Sequence, residues 1–212
     1  MNCPTRIFDY DKDRYGLASI VARHLGVEDL SRIQQSLEKQ YAVFRRDNDQ
    51  SSEFHRRFYS IGSDFYERYR EFVRNVVAPL QREVFIFQRI PTFRVHLPDN
   101  VAVGEYHRDR DYSHSPHEIN YWLPMTNAWD TNTIWVESAE NREDYRPCAL
   151  RYGQVLQFDG ANLKHGNQIN RTGSSRVSFD FRILPLSRYS PSERSSINTK
   201  MRFVIGEYFD RL

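Results

Sequence analysis

The run Glu105-Tyr106-His107-Arg108-Asp109 sets an imidazole and a carboxylate two positions apart. In an extended segment side chains alternate between faces, so His107 and Asp109 would share one face while Arg108 points away. That spacing makes a two-ligand clip. A second imidazole follows in Phe158-Asp159-Gly160-Ala161-Asn162-Leu163-Lys164-His165-Gly166-Asn167, a strand end leading into a glycine-bearing bend. Two neutral imidazoles and one carboxylate form the 2-His-1-carboxylate face that holds non-haem Fe(II), with positions left open for a chelating 2-oxo acid and for O2. Eleven positions after His165, Arg176 and Ser178 would share one face of a further strand. There a guanidinium and a hydroxyl can grip a carboxylate through charge-assisted hydrogen bonds, which suits a dicarboxylic cosubstrate.

Each of these residues also has a plain reading. Exposed strands carry His and Asp two apart by chance, His165 can cap a turn, and Arg176 can make an ordinary ion pair. Asp111 shares a face with Asp109 and is a second possible carboxylate. It is the conjunction of the clip, the His-Gly-Asn run after an apolar strand and the downstream arginine that favours a metal site. His114 and His117 flank Pro116 just after the clip, in a segment that either touches substrate or is a solvated loop. His24, His55 and His96 are remote from the motif in sequence and read as structural or surface residues, and Trp122, Trp129 and Trp135 read first as strand packing.

These side chains need elements to carry them. Leu30, Ile33, Leu37, Tyr41 and Phe44 recur at steps of three and four, as do Phe54, Phe58, Ile61, Phe65, Tyr69, Phe72 and Val76, which predicts helices across the first 80 or so residues. Ser51-Ser52-Glu53 offers a cap for the second set and Pro79 a breaker. After Arg82 the period becomes two, and strands are expected at 84–88, 92–97, 101–106, 118–123, 133–136, 154–158 and 176–183. The segment 187–199 has no periodicity and reads as a long loop or lid, and Phe203-Val204-Ile205 as a final strand. The expected organisation is a single domain, residues 1–81 forming a helical layer and 82–212 a β-sandwich or barrel with a loop at 187–200.

Composition narrows the function classes. The 212 residues are 39% hydrophobic and 14% aromatic, which suits a folded domain rather than a disordered chain. Lys and Arg exceed Asp and Glu by two, with no basic tail, so the footprint of a nucleic-acid binder is missing. No apolar run approaches a membrane span and no signal-peptide core follows Met1, which points to a cytoplasmic protein. Cys3 and Cys148 show no CxxC spacing and read as ordinary thiols.

The sequence resembles the Fe(II)/2-oxoglutarate-dependent dioxygenases, in particular their phytanoyl-CoA-hydroxylase-like branch and, within it, the oxygenases of streptomycin-type aminoglycoside clusters. The resemblance covers roughly residues 82–185. It is carried by His107-Arg108-Asp109, Asn120-Tyr121-Trp122-Leu123-Pro124-Met125-Thr126, Gly153 to Gly160, His165-Gly166-Asn167 and Ser175-Arg176-Val177-Ser178. It implies a mainly β fold with N-terminal helices around a double-stranded β-helix, or jelly roll, of cupin type. It implies iron ligation by His107, Asp109 and His165, a bond from Arg176 to the distal carboxylate of 2-oxoglutarate, support from Ser178, and a pocket lined by Asn167 and Trp122. The cofactors implied are Fe(II), 2-oxoglutarate and O2, and the implied reaction couples decarboxylation of 2-oxoglutarate to hydroxylation of a C–H bond. Halogenating relatives lack the carboxylate that Asp109 supplies, so halogenation is disfavoured. The expected substrate is a small polar metabolite, sugar-like, aminoglycoside or amino-acid-like. A non-catalytic jelly-roll binding module and a cupin-like metal enzyme that does not use 2-oxoglutarate are the alternatives, and the sequence leaves oligomeric state open.

Overall fold

The computed structural model describes residues 5–38 and 40–212, so Cys3 lies outside the described residues. Strand β1 (Arg6–Asp9) is followed by helices α1 (Lys12–Tyr15), α2 (Leu17–Leu25), α3 (Glu53–Phe58) and α4 (Ser63–Phe72). Then come strands β2 (Phe85–Gln88), β3 (Thr92–His96), β4 (Ile119–Pro124), β5 (Ile134–Val136), β6 (Arg146–Cys148), β7 (Gln154–Phe158), β8 (His165–Gly166), β9 (Arg176–Pro185), β10 (Ser192–Ser195), β11 (Arg202–Phe203) and β12 (Phe209–Asp210). The fold is mixed, with helices on antiparallel sheets. Seven strands form one sheet in the order β1-β7-β4-β9-β2-β12, with β3 also on β9; a smaller sheet runs β6-β5-β8, and β10 pairs with β11.

Strand β9 organises the molecule. Along it, Val177, Phe179, Phe181 and Ile183 enter the main apolar core with Phe65, Tyr69 and Phe72 of α4. The alternate residues Arg176, Ser178, Asp180 and Arg182 face the other way, as the pleat requires. Neighbouring strands keep the register: His96 sits opposite Arg176, Trp122 opposite Asp180 and Asn120 opposite Arg182. A second apolar cluster, including Trp122, Ile134, Val136, Leu156 and Phe158, packs the smaller sheet over that opposite face. The large sheet is therefore dry and aromatic toward the helices and polar toward the interior of the sandwich.

Several local expectations are corrected. Among the described residues of the stripe from Leu30 to Phe44, only Leu30–Ser36 is helical, as a 3-10 turn in which Arg32 leaves helical geometry. Beyond it, backbone groups that a helix would pair internally are taken by Asn100, whose side chain accepts from the Phe44 N–H and donates to the carbonyls of Tyr41 and Ala42. The second stripe is broken between α3, where the Ser52 side chain accepts from the His55 N–H, and α4. No strand forms at 101–106, because side-chain acceptors replace a partner strand: Asn167 Oδ1 takes the N–H groups of Ala102 and Val103, and Asp49 Oδ2 that of Gly104. The segment read as a coil at 187–200 contains β10, which folds back on β11. No described helix is long and apolar enough to cross a membrane.

Candidate metal and carboxylate site

His107 and His165 are brought side by side by an antiparallel bridge in which each N–H donates to the other's carbonyl, at 3.0 and 2.9 Å. Their ring centroids lie 4.7 Å apart. Asp109 does not continue an extended strand as the alternation assumed. It begins a 3-10 turn, Asp109–Tyr112, with its N–H on the Gly160 carbonyl at 3.0 Å. The turn nonetheless aims the carboxylate at the two rings. His107 Nε2 is 3.6 Å and His165 Nε2 3.9 Å from Asp109 Oδ1, and one ligand atom from each residue lies within 4.8 Å of the others. Asp111 takes the other direction, turning back onto the Arg108 N–H.

The chemistry of this donor set fits a divalent ion. His107 Nδ1 lies 3.1 Å from the Glu105 carbonyl and His165 Nδ1 3.0 Å from that of Leu163. A carbonyl only accepts, so both Nδ1 atoms carry hydrogen and both Nε2 atoms present lone pairs. Burial, with His107 close by, lowers the His165 pKa to about 4, which keeps that ring neutral and able to ligate. Burial raises the pKa of Asp109, but the Arg182 cation, with His107, His165 and His114 close by, outweighs it and holds the carboxyl well below the ordinary range. Ligands about 2.1 Å from one octahedral ion lie about 3 Å from each other, so a small contraction would seat one.

Arg176 is 1% exposed, yet no carboxylate lies within ion-pair distance of it among the described residues. Its guanidinium donates to the Asn132 carbonyl at 3.0 Å and to Ser178 Oγ at 2.8 Å, and its Nη2 lies 3.4 Å from His96 Nδ1. All three partners are neutral. The other two arginines of this face are already paired, Arg94 with Asp49 and Asp180 and Arg182 with Asp109 and Asp180. Burial and the nearby Arg94 pull the Arg176 pKa down to about 9, which leaves it cationic at neutral pH. A buried cation with neutral partners only is costly unless an anion joins it. Ser178 Oγ also accepts from Trp122 Nε1 at 3.1 Å, so its two lone pairs are used and its O–H is left to donate. The Arg176 guanidinium carbon stands 5.4 Å from the Trp122 ring centroid.

Arg176, Trp122, Asn120, His107 and His165 line one small cavity. A larger one shares His107, Arg94 and Arg182 with it and is bordered by Asp49, Tyr112 and His114. The candidate ligands therefore stand where the two meet. His114 Nδ1 donates to Glu118 Oε2 at 2.8 Å, and its ring lies tilted against that of Phe203. His117 is exposed and borders neither cavity. Asn167 also stands outside both linings, its side chain holding the loop 101–103. His96, read as remote, is wholly buried against Arg176.

Four polar residues of the site escaped the sequence reading: Asn120, Arg94, Asp180 and Arg182. Asn120 Nδ2 donates to Asp109 Oδ2 at 2.6 Å, and a Cβ on Gly160 would stand 2.6 Å from the Asn120 amide, so only glycine fits there. The signal for Asp180 and Arg182 lies in the alternation that yields Arg176 and Ser178, carried four residues further.

No family model matches the chain. The streptomycin biosynthesis protein StrG of Streptomyces griseus is 45% identical over 201 residues, spanning 95% of each chain. Among solved structures, AviO1 from Streptomyces viridochromogenes Tue57 aligns over 89% of this chain and 93% of its own at a TM-score of 0.49 and 16% identity. CytC3 with Fe(II) and alpha-ketoglutarate aligns over 87% and 74% at a TM-score of 0.48 and 13% identity. At these TM-scores the structural likeness is distant.

Proposed function

The chain belongs to the family of the streptomycin biosynthesis protein StrG, and on that premise we propose that it is an Fe(II)- and 2-oxoglutarate-dependent oxygenase that hydroxylates or otherwise oxidises a C–H bond of a small polar metabolite. The observation that carries this reading is the convergence of His107, Asp109 and His165 beside Arg176, a buried cation with no carboxylate of its own. On this reading the domain is single: the helices between residues 12 and 80 form a layer on a jelly-roll core whose two sheets enclose the site, and β1 joins that core through β7 rather than the helical layer.

Each residue's work follows from its surroundings. His107 Nε2, Asp109 Oδ1 and His165 Nε2 would hold the iron, with both rings fixed in one tautomer by their Nδ1 bonds to backbone carbonyls. Arg176 and the Ser178 hydroxyl would bind the distal carboxylate of 2-oxoglutarate, and the Trp122 ring would close one wall. Bound together, Fe(II) and 2-oxoglutarate supply the oxidation: O2 is reduced as the 2-oxo acid becomes succinate and CO2, and a substrate C–H is oxidised. The larger cavity would take the substrate. Three of its four arginines, Arg94, Arg182 and Arg46, are each paired with a carboxylate, and Asp47, Asp49, Glu105 and Asp109 line it as well, so no one sign of charge dominates. That lining suits a sugar-like, aminoglycoside or amino-acid-like molecule. His114, held by Glu118, borders this cavity and is the histidine placed to meet substrate.

The test is succinate formation. Protein supplied with Fe(II), 2-oxoglutarate and O2 should produce succinate, slowly even without substrate, and H165A and R176M should not. Equal succinate from wild type and H165A would overturn the proposal.

A further inference from the structure

Five charged side chains alternate in sign across the polar face of the sheet. Asp49 meets Arg94 at 3.4 Å, Arg94 meets Asp180 at 3.8 Å, Asp180 meets Arg182 at 2.7 Å, and Arg182 meets Asp109 at 2.9 Å. None of the five is more than 13% exposed. Only the last link reaches a candidate metal ligand, and it does so on one oxygen. Arg182 Nε and Asn120 Nδ2 both donate to Asp109 Oδ2, while Oδ1 faces the two imidazoles. The guanidinium has no freedom to swing, because its Nη1 also bonds Gln88 Oε1 at 3.1 Å and Thr92 Oγ1 at 3.4 Å.

We propose that Arg182, braced by Asp180, is a positioning residue that ties up Asp109 Oδ2 so that the carboxylate binds the metal through Oδ1 alone. The inference rests on the reading of His107, Asp109 and His165 as the metal ligands. A carboxylate bound through both oxygens would occupy a fourth position and leave too few for a chelating 2-oxo acid together with O2. Arg182 thus protects the open face of the site without touching the ion.

Charge and position pull in opposite directions, which makes the proposal decidable. If Arg182 acted only as a nearby cation it would repel a divalent ion, and removing it would tighten metal binding. If it positions the carboxylate, removing it weakens binding.

The experiment is calorimetric titration of the metal-free protein with Fe(II), under anaerobic conditions, and with Co(II). Wild type, R182Q, R182K and D180N would be compared, and melting curves would establish that each is folded. The expected result for R182Q is a loss of roughly 10- to 100-fold in affinity, the usual effect of removing a group that orients a ligand, with an altered Co(II) absorption spectrum. R182K, which keeps the charge but not the fork, should fall between, and D180N should lose less. Affinity in R182Q equal to or tighter than wild type would overturn the proposal. Should R182Q not fold, an unchanged Co(II) affinity and spectrum in D180N would overturn it. A wild-type protein that binds neither ion would instead sink the metal-centre reading and this inference with it.

Discussion

The two faces of β9 are built from the same ten residues and serve opposite ends. On one, Phe179 and Phe181 meet Tyr69 and its neighbours edge-on and exclude water, and the free energy of that face goes into holding the fold. On the other, Arg176 is buried with no carboxylate within ion-pair distance among the described residues, an arrangement that costs stability in the free protein and becomes favourable when an anion arrives. A residue's face, rather than its burial, separates structure from function here, since Arg176 and Phe179 are equally inaccessible.

The largest expected effect breaks the first face. F179A removes a fully buried ring and should cost about 3–5 kcal/mol in urea unfolding, while protein that remains folded keeps its affinity for 2-oxoglutarate. R176M should do the reverse. It should weaken 2-oxoglutarate by about 2–5 kcal/mol in calorimetry, the cost of truncating a buried charge pair, and leave the melting temperature unchanged or raised. If R176M unfolded the protein and F179A did not, the contrast between the faces would be wrong.

A pH experiment sharpens the comparison, because each face buries one neutral histidine. Burial, with Arg94 and Arg56 nearby, lowers the His55 pKa to about 3, and burial with Arg176 nearby does the same for His96. The unfolded chain takes up those protons near the ordinary value of 6.5 and the folded chain does not. Stability is therefore undiminished above about pH 6.5 and falls as the pH drops toward about 3. Each histidine contributes up to about 1.4 kcal/mol per pH unit within that window, and H55N should flatten the urea-unfolding profile by one such share. A smaller effect is expected from W122F, which loses the indole bond to Ser178: roughly 1 kcal/mol in 2-oxoglutarate affinity, with unfolding hardly changed. H117A, on an exposed side chain outside both cavities, should stay within about 0.5 kcal/mol on either measure.

His107, Asp109 and His165 were picked out by ligand chemistry, since Asp109 reaches the two rings through a 3-10 turn and not through strand alternation, whereas alternation does account for Arg176 and Ser178. Arg176 and Ser178 share a face for the reason the pleat gives, and the same pleat holds Asp180 and Arg182, which a reading that stops at the first two does not reach. The helix register of Phe65, Tyr69 and Phe72 was legible because one stripe meets one sheet face. What was not legible depends on partners distant in sequence. The segment 101–106 has the composition of a strand, yet its N–H groups go to Asn167 and Asp49, and only the folded chain supplies those acceptors. The stretch after Leu37 has helical spacing, but Asn100 takes its backbone groups. His96 looked unconnected because Arg176 lies 80 residues further along the chain, and β3 places the two directly opposite each other.

The most direct test of the central claim is an anaerobic titration of metal-free protein with Fe(II) and then 2-oxoglutarate, followed by visible absorption. The expected result is a metal-to-ligand charge-transfer band that appears only when both are present, is lost in H165A because iron does not bind, and is lost or shifted to far higher 2-oxoglutarate in R176M although iron still does. Iron binding with no band on adding 2-oxoglutarate, or a band unchanged in R176M, would contradict the assignment of the buried, unpaired arginine as the cosubstrate's anchor.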